Sequence, residues 1–178
     1  PMTAGRFLAF VEDGGYADPR WWPGEAGRWL DAPGRSHPAR WRPANGGWEW
    51  RWFDRWLPLD PGQPVIHVSA WEAEAWCRWA GRALPTAAQW QHAASLGSLH
   101  WGDSVWEWTA DAFLPYPGFV PGPYRDYSAP WFGDHRELRG AAFATEAPIR
   151  DLRYRNFFTP GRTDVFAGFR TVSGRIGS

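Results

Sequence analysis

The sequence predicts an α+β domain with little regular structure and two central helices. Three observations carry this. Residues 69–97 hold two successive capping boxes, Ser69-x-x-Glu72 and Thr86-x-x-Gln89, each followed by an apolar helical stripe. Two short β-type runs precede them: Trp48, Trp50 and Trp52 alternating with charged residues, and the apolar run Pro64–Val68. The remainder is crowded with aromatic, Gly and Pro residues, 16 Trp, 20 Gly and 17 Pro in all, which favours ordered loops over long elements. A chain of 178 residues suits one domain, 1–178, with a sizeable core.

Composition removes several function classes. Charge is balanced, 19 basic against 19 acidic, so nothing marks a nucleic-acid or anionic membrane partner. All the basic residues are Arg, which excludes lysine Schiff-base or general-base chemistry. Cys77 is the one cysteine, so neither an intramolecular disulfide nor a Cys-based metal site can form. No apolar run approaches the ~20 residues of a membrane span. No secretory leader is visible, which makes the cytoplasm the expected compartment. The opening Pro1-Met2-Thr3 reads as the start of a piece of a larger protein.

Taken in order, Thr3 caps a helix with Phe7, Phe10 and Val11 on one face, and Gly14-Gly15 stops it. Residues 17–64 read as ordered loop with short strands, with turns at Asn45-Gly46-Gly47 and Asp60-Pro61-Gly62. Pro64–Val68 reads as a buried strand, with His67 a hydrogen-bonded core histidine rather than a ligand. In the first central helix Ala73, Trp76, Cys77 and Ala80 face inward; in the second, Trp90, Ala93 and Ala94 do. Trp101–Asp111 supplies core aromatics and places Glu107 between two Trp, where a carboxylate needs a partner. Phe113–Phe132 is a surface loop of the kind that carries binding residues. The last long stretch, Arg139–Arg170, mixes Arg with Phe and Tyr. It predicts a wall of Arg and aromatic groups with Asn156 in its middle, and with Arg139-Gly140 and Gly161-Arg162 as turns.

Several motifs carry a family resemblance. FxxFVxDGGY near the start, PVIHVSAWEAEAWCRWAGRALPTAAQW in the centre, WGDSVWEWTAD, PYPGF, YRDYS, RGAAFAT, YRNFF and FAGFR cover almost the whole chain. Together they resemble the C-terminal formylglycine-generating-enzyme-like (sulfatase-modifying-factor) domain of ergothioneine sulfoxide synthases and their selenoneine-forming relatives. Ala141 and Ala142 depart from the usual RGGSFAT, and Asp103-Ser104 replace a single Asn. The resemblance implies a C-type-lectin-like, formylglycine-generating-enzyme-like fold. It also implies that this is the C-terminal part of an enzyme whose N-terminal helical domain holds iron(II).

Function then follows as an expectation. No His pair in this chain has metal-ligand spacing, so iron ligands are not expected here. The two cysteines of formylglycine-generating enzymes align with Thr145 and Arg150, which excludes that reaction. The resemblance implies O2-dependent attachment of sulfur, or of selenium from a selenosugar, to the imidazole C2 of hercynine, the trimethylammonium derivative of histidine. By position, Asn156 would contact hercynine. Phe157 and Phe158 would form an apolar wall where a sister branch has an aspartate for glutamyl-cysteine, which leaves cysteine or a selenosugar as donor. Arg150, Arg153 and Arg155 would take a substrate carboxylate, and Tyr116 and Tyr124 are the candidate catalytic phenols. Asp103 and Glu107 are candidate ligands for a structural calcium, against a plain Arg–Glu pair. The alternative is a non-catalytic ligand-binding module of the same fold.

Overall fold

The computed structural model describes residues 1–124 and 128–174. Helix α1, Ala4–Glu12, starts where Thr3 accepts a hydrogen bond from the Arg6 N–H. It buries Ala4, Phe7, Phe10 and Val11 and ends before Gly14, whose φ of 77° suits glycine. The segment after it is more structured than its composition suggests. A short 3₁₀ turn at Pro19–Trp21 leads to helix α2, Glu25–Leu30. Strands β1 (Trp41–Ala44), β2 (Gly47–Trp52) and β3 (Arg55–Pro58) then form an antiparallel meander, with two-residue connections at Asn45-Gly46 and Phe53-Asp54.

The two central helices are α3, Ala70–Trp79, and α4, Ala87–Ser95. Both capping boxes form as the sequence predicts, each with reciprocal bonds between the cap and the third helical residue. Glu72 does a second task. Its other oxygen accepts the Tyr16 hydroxyl at 2.5 Å, which ties the end of the α1 region to α3 inside the core. Burial raises the Glu72 carboxyl above the ordinary range, partly offset by its bonds to Ser69 and Tyr16. Strand β4 (Arg82–Ala83) pairs with β9 (Val172–Ser173).

The main sheet has the order β7-β6-β5-β8. Strands β5 (Trp106–Ala112), β6 (Arg136–Gly140) and β7 (Asn156–Phe158) run antiparallel, while β8 (Ala167–Phe169) joins β5 in parallel. Arg139-Gly140 therefore ends a strand instead of making a turn. The core lies where α1, α3 and this sheet meet, with Phe7, Phe10, Trp76, Trp108, Leu138 and Phe169 in contact. Trp108 is fully buried and donates its indole N–H to the Val68 carbonyl at 2.8 Å. This is an α+β formylglycine-generating-enzyme-like fold. Among the described residues no helix is long and apolar enough to cross a membrane.

One expected strand is absent. Val65, Ile66, His67 and Val68 are all buried, so the run does not alternate between a core face and a solvent face. His67 has a φ of 64°, and this left-handed residue breaks the extended backbone. The segment bonds to its surroundings one group at a time: Val65 N–H to Met2, and Val68 N–H to Ala167. His67 is buried as expected; its Nδ1 makes no well-aimed hydrogen bond, while the Thr163 and Val165 backbone acts on the ring. Burial, followed by the nearby Arg40 charge, lowers its pKa to about 4.

A pH dependence follows. A histidine neutral in the fold and protonated when unfolded stabilises the fold above its unfolded pKa, and that stability falls as pH drops from about 6.5 towards 4. The loss approaches ~1.4 kcal/mol per pH unit within that window. His67→Asn keeps a residue that tolerates left-handed φ and removes the titration. Denaturation midpoints measured from pH 7 to 4 should fall less steeply for this variant than for the parent. Parallel curves would contradict the assignment.

Candidate functional site

The site is built on the edge of the main sheet. In the β6–β7 pairing Glu137 faces Phe157 and Leu138 faces Asn156. Glu137 and Arg139 are 2% and 3% exposed, so two charges sit inside the protein on adjacent turns of one strand's pleat. Glu137 Oε2 accepts from Arg155 Nε at 2.7 Å and lies 2.5 Å from Arg155 Nη2. Glu137 Oε1 and Arg139 Nε are 2.7 Å apart. Neither of those two atoms has a hydrogen bond, so their contact is an ion pair without a well-aimed N–H. Arg139 donates instead to the Leu152 carbonyl at 3.1 Å and to the Tyr116 hydroxyl at 3.4 Å.

Arg155 adds a bond to the Leu114 carbonyl and sits 4.6 Å from the Phe113 ring centre and 4.4 Å from that of Tyr116. One carboxylate thus serves two guanidinium groups, and Tyr116 covers them. Its ring remains exposed to solvent, while its hydroxyl points back to Arg139. The start of the surface loop is fixed in this way to the sheet beneath it.

The candidate residues separate. Tyr116 belongs to this group; Tyr124 lies farther along the loop, exposed, beside Phe119, Pro121 and Ser128 in a cleft of about 290 Å³. Arg125, Asp126 and Tyr127 of YRDYS lie outside the described residues. Arg155 is already paired with Glu137 and bonded to the Leu114 carbonyl through Nε and Nη2, so its charge is matched within the protein. Arg153 is exposed and grips Asp151 through two hydrogen bonds. Arg150 is exposed and bonds only to the carbonyls of Thr145 and Phe143, which do not neutralise it. Among the three it is the cation best placed for an incoming carboxylate.

The expected wall of Phe157 and Phe158 does not form. The two residues are neighbours on β7, so their side chains point to opposite faces. Phe157 stacks on Phe113 with centres 4.2 Å apart and planes at 13°. Phe158 packs against the main core, with the Arg162 guanidinium 5.1 Å from its ring centre. Asn156 is half-buried; its Oδ1 accepts from the Phe157 N–H, and its amide nitrogen donates to nothing among the described residues.

The calcium reading does not fit. Arg170 binds both oxygens of Glu107, and the Trp90 indole donates to one of them at 2.8 Å. A guanidinium occupies the space a cation would need. Asp103 is bound to exposed His100 at 2.7 Å. Among the described residues no three His, Cys, Asp or Glu converge on a metal position. Cys77 is buried, and desolvation pushes its thiol to about 12, so it is no nucleophile. Sequence reasoning missed Glu137. Its only sequence signal was an acidic residue, Glu137, set just before the Arg-rich segment.

Comparison with known proteins agrees with this fold. Residues 1–104 match the sulfatase-modifying factor enzyme 1-like domain. The chain belongs to that family. It is 34% identical to a hercynine oxygenase of Mycobacterium tuberculosis and 32% identical to one of Mycolicibacterium thermoresistibile, in each case over 96% of this chain. These matches cover 50% and 48% of the two relatives, so the chain spans about half their length. It is also 32% identical to a formylglycine-generating enzyme of Mycobacterium tuberculosis, over 58% of this chain and 42% of that protein.

Proposed function

We propose that this chain is the substrate-binding, C-terminal part of a cytoplasmic non-haem iron enzyme. It uses O2 to join sulfur or selenium to the imidazole C2 of hercynine, in ergothioneine or selenoneine biosynthesis. The observation that carries this reading is the match of 96% of the chain to proteins named hercynine oxygenase. The match to formylglycine-generating enzymes is shorter, and a single buried cysteine cannot perform two-thiol chemistry.

Iron would be held by a helical domain outside this chain and would supply oxygen activation. The residues here bind and orient. The Asn156 amide nitrogen, without a protein partner among the described residues, is offered to hercynine. Arg150 takes a carboxylate. Tyr116, held by Arg139 and Arg155, and Tyr124, farther along the same loop, are the candidate phenols for exchanging a proton.

Asn156→Ala in the full protein should raise the apparent hercynine constant about tenfold, the value of roughly one good hydrogen bond. The melting temperature should stay within about 2 °C, since the lost intramolecular bond is local. A large stability loss with unchanged kinetics would make Asn156 structural.

The donor is cysteine or a selenosugar. Position 158 carries no carboxylate for the ammonium of a glutamyl group, since Phe158 is apolar and packs against the core. In competition with hercynine present, cysteine or a selenosugar should be consumed ahead of glutamyl-cysteine. Preference for glutamyl-cysteine would overturn this part of the reading.

A further inference from the structure

A second cavity shares no lining residue with Tyr116, Arg150 or Asn156. It encloses about 240 Å³ between Arg40, Trp52, Phe53, His67, Asp164 and Phe166. Among the described residues only two non-glycine residues have positive φ, Phe53 at 51° and His67 at 64°. Both line this cavity. Left-handed backbone at non-glycine residues is unfavourable and gathers at ligand sites. His67 is also 3% exposed, and its Nδ1 makes no well-aimed hydrogen bond, although the Thr163 and Val165 backbone lies close enough to act on the ring.

The lining defines a ligand class. Trp52, Phe53 and Phe166 form mutually packed aromatic walls, with Phe143 behind Trp52 and Phe166. The His67 ring lies 5.3 Å from that of Phe166. Two charges stand at the cavity. Asp164 is held by two hydrogen bonds from Arg162, which satisfies it. Arg40 is half-buried, and its guanidinium makes no hydrogen bond or ion pair among the described residues, although its charge acts on both Asp164 and His67. The unmatched charge is therefore positive. His67, lowered to about 4, is neutral near pH 7 and adds no charge.

The geometry points to a binding site for a one-ring aromatic carboxylate. Its ring lies between Trp52, Phe53 and Phe166, its carboxylate meets Arg40, and a hydroxyl or ring N–H reaches His67 Nδ1. A hydroxyl suits either tautomer of a neutral imidazole. An aromatic cage could also hold a quaternary ammonium, but the unpaired Arg40 opposes a cation. The inference stands independently of the hercynine reading.

Isothermal titration of the full protein with 4-hydroxybenzoate tests it, with benzyltrimethylammonium as the cationic comparison. The parent should bind one 4-hydroxybenzoate per chain, saturably and more tightly than the ammonium probe. Arg40→Gln should weaken binding about tenfold or more, the scale of a charge-assisted hydrogen bond. Its thermal melt should stay close to the parent's, because Arg40 acts on Asp164 and His67 through its charge and makes no hydrogen bond or ion pair among the described residues. Asn156→Ala should bind the probe as the parent does, which separates this cavity from the proposed hercynine site. The inference is overturned by absent saturable binding, by tighter binding of the ammonium probe, by a smaller effect of Arg40→Gln, or by loss of the probe in Asn156→Ala.

Discussion

Replacing Glu137 with Ala is expected to lower the melting temperature by roughly 10 °C. Glu137 is the counter-ion of both Arg139 and Arg155, and it is 2% exposed. Its removal leaves two guanidinium groups in the protein interior facing each other. Breaking a buried ion pair from one side costs ~3–5 kcal/mol, because the remaining charge is desolvated and unpaired. A domain of this size loses about 2–4 °C per kcal/mol. The exposed pair Arg153–Asp151 is the contrast: Asp151→Ala should leave the melt almost unchanged, since solvent already screens it. The variant should also disturb function. Arg155 would lose its anchor beneath Tyr116, and Arg139 would lose its counter-ion. A Glu137→Ala protein that melts within about 2 °C of the parent, a loss of under ~1 kcal/mol, would show that the cluster is solvated.

The second large effect is expected at Gly168 in FAGFR. Gly168 pairs with Glu107 across the parallel β5–β8 contact. A Cβ there would lie 2.3 Å from the Val65 carbonyl oxygen and 3.1 Å from Val105 Cγ2. The obstacle is backbone, so the strand or the Val65–Val68 segment must move. Moving that segment also disturbs the Val68 carbonyl that accepts from Trp108. Gly168→Ala should cost about 1–3 kcal/mol or more, the range for forced overpacking. Gly122→Ala is the matched control, because a Cβ there meets nothing within 4 Å. Chemical denaturation of the two variants should separate them clearly. Equal midpoints would mean that Gly168 is not held by close approach.

The helices were legible because their signals are local. Ser69, Glu72, Thr86 and Gln89 stand within one turn of the groups they cap, and the structure forms both boxes. Thr3 and Gly14 mark α1 in the same way. The main sheet was less legible, since its pairings join residues far apart, such as Glu107 with Arg139 and Glu107 with Gly168. Pro64–Val68 has strand composition, yet His67 in a left-handed conformation prevents a ladder, and no local pattern encodes that choice. The site was half legible. An Arg-rich aromatic stretch needs a carboxylate, and that need could be read before Glu137 was known to meet it. The opposite facing of Phe157 and Phe158 follows from strand period and required only the recognition that YRNFF contains a strand.

The central claim concerns a reaction, so product analysis is the most direct test. The full protein, supplied with iron(II), O2, hercynine and either cysteine or a selenosugar, should convert hercynine. Mass spectrometry and proton NMR should show a product with sulfur or selenium bonded to imidazole carbon and the C2–H signal lost. Binding of hercynine without turnover, under conditions where the iron is verified as bound, would contradict the account and leave a ligand-binding module of the same fold.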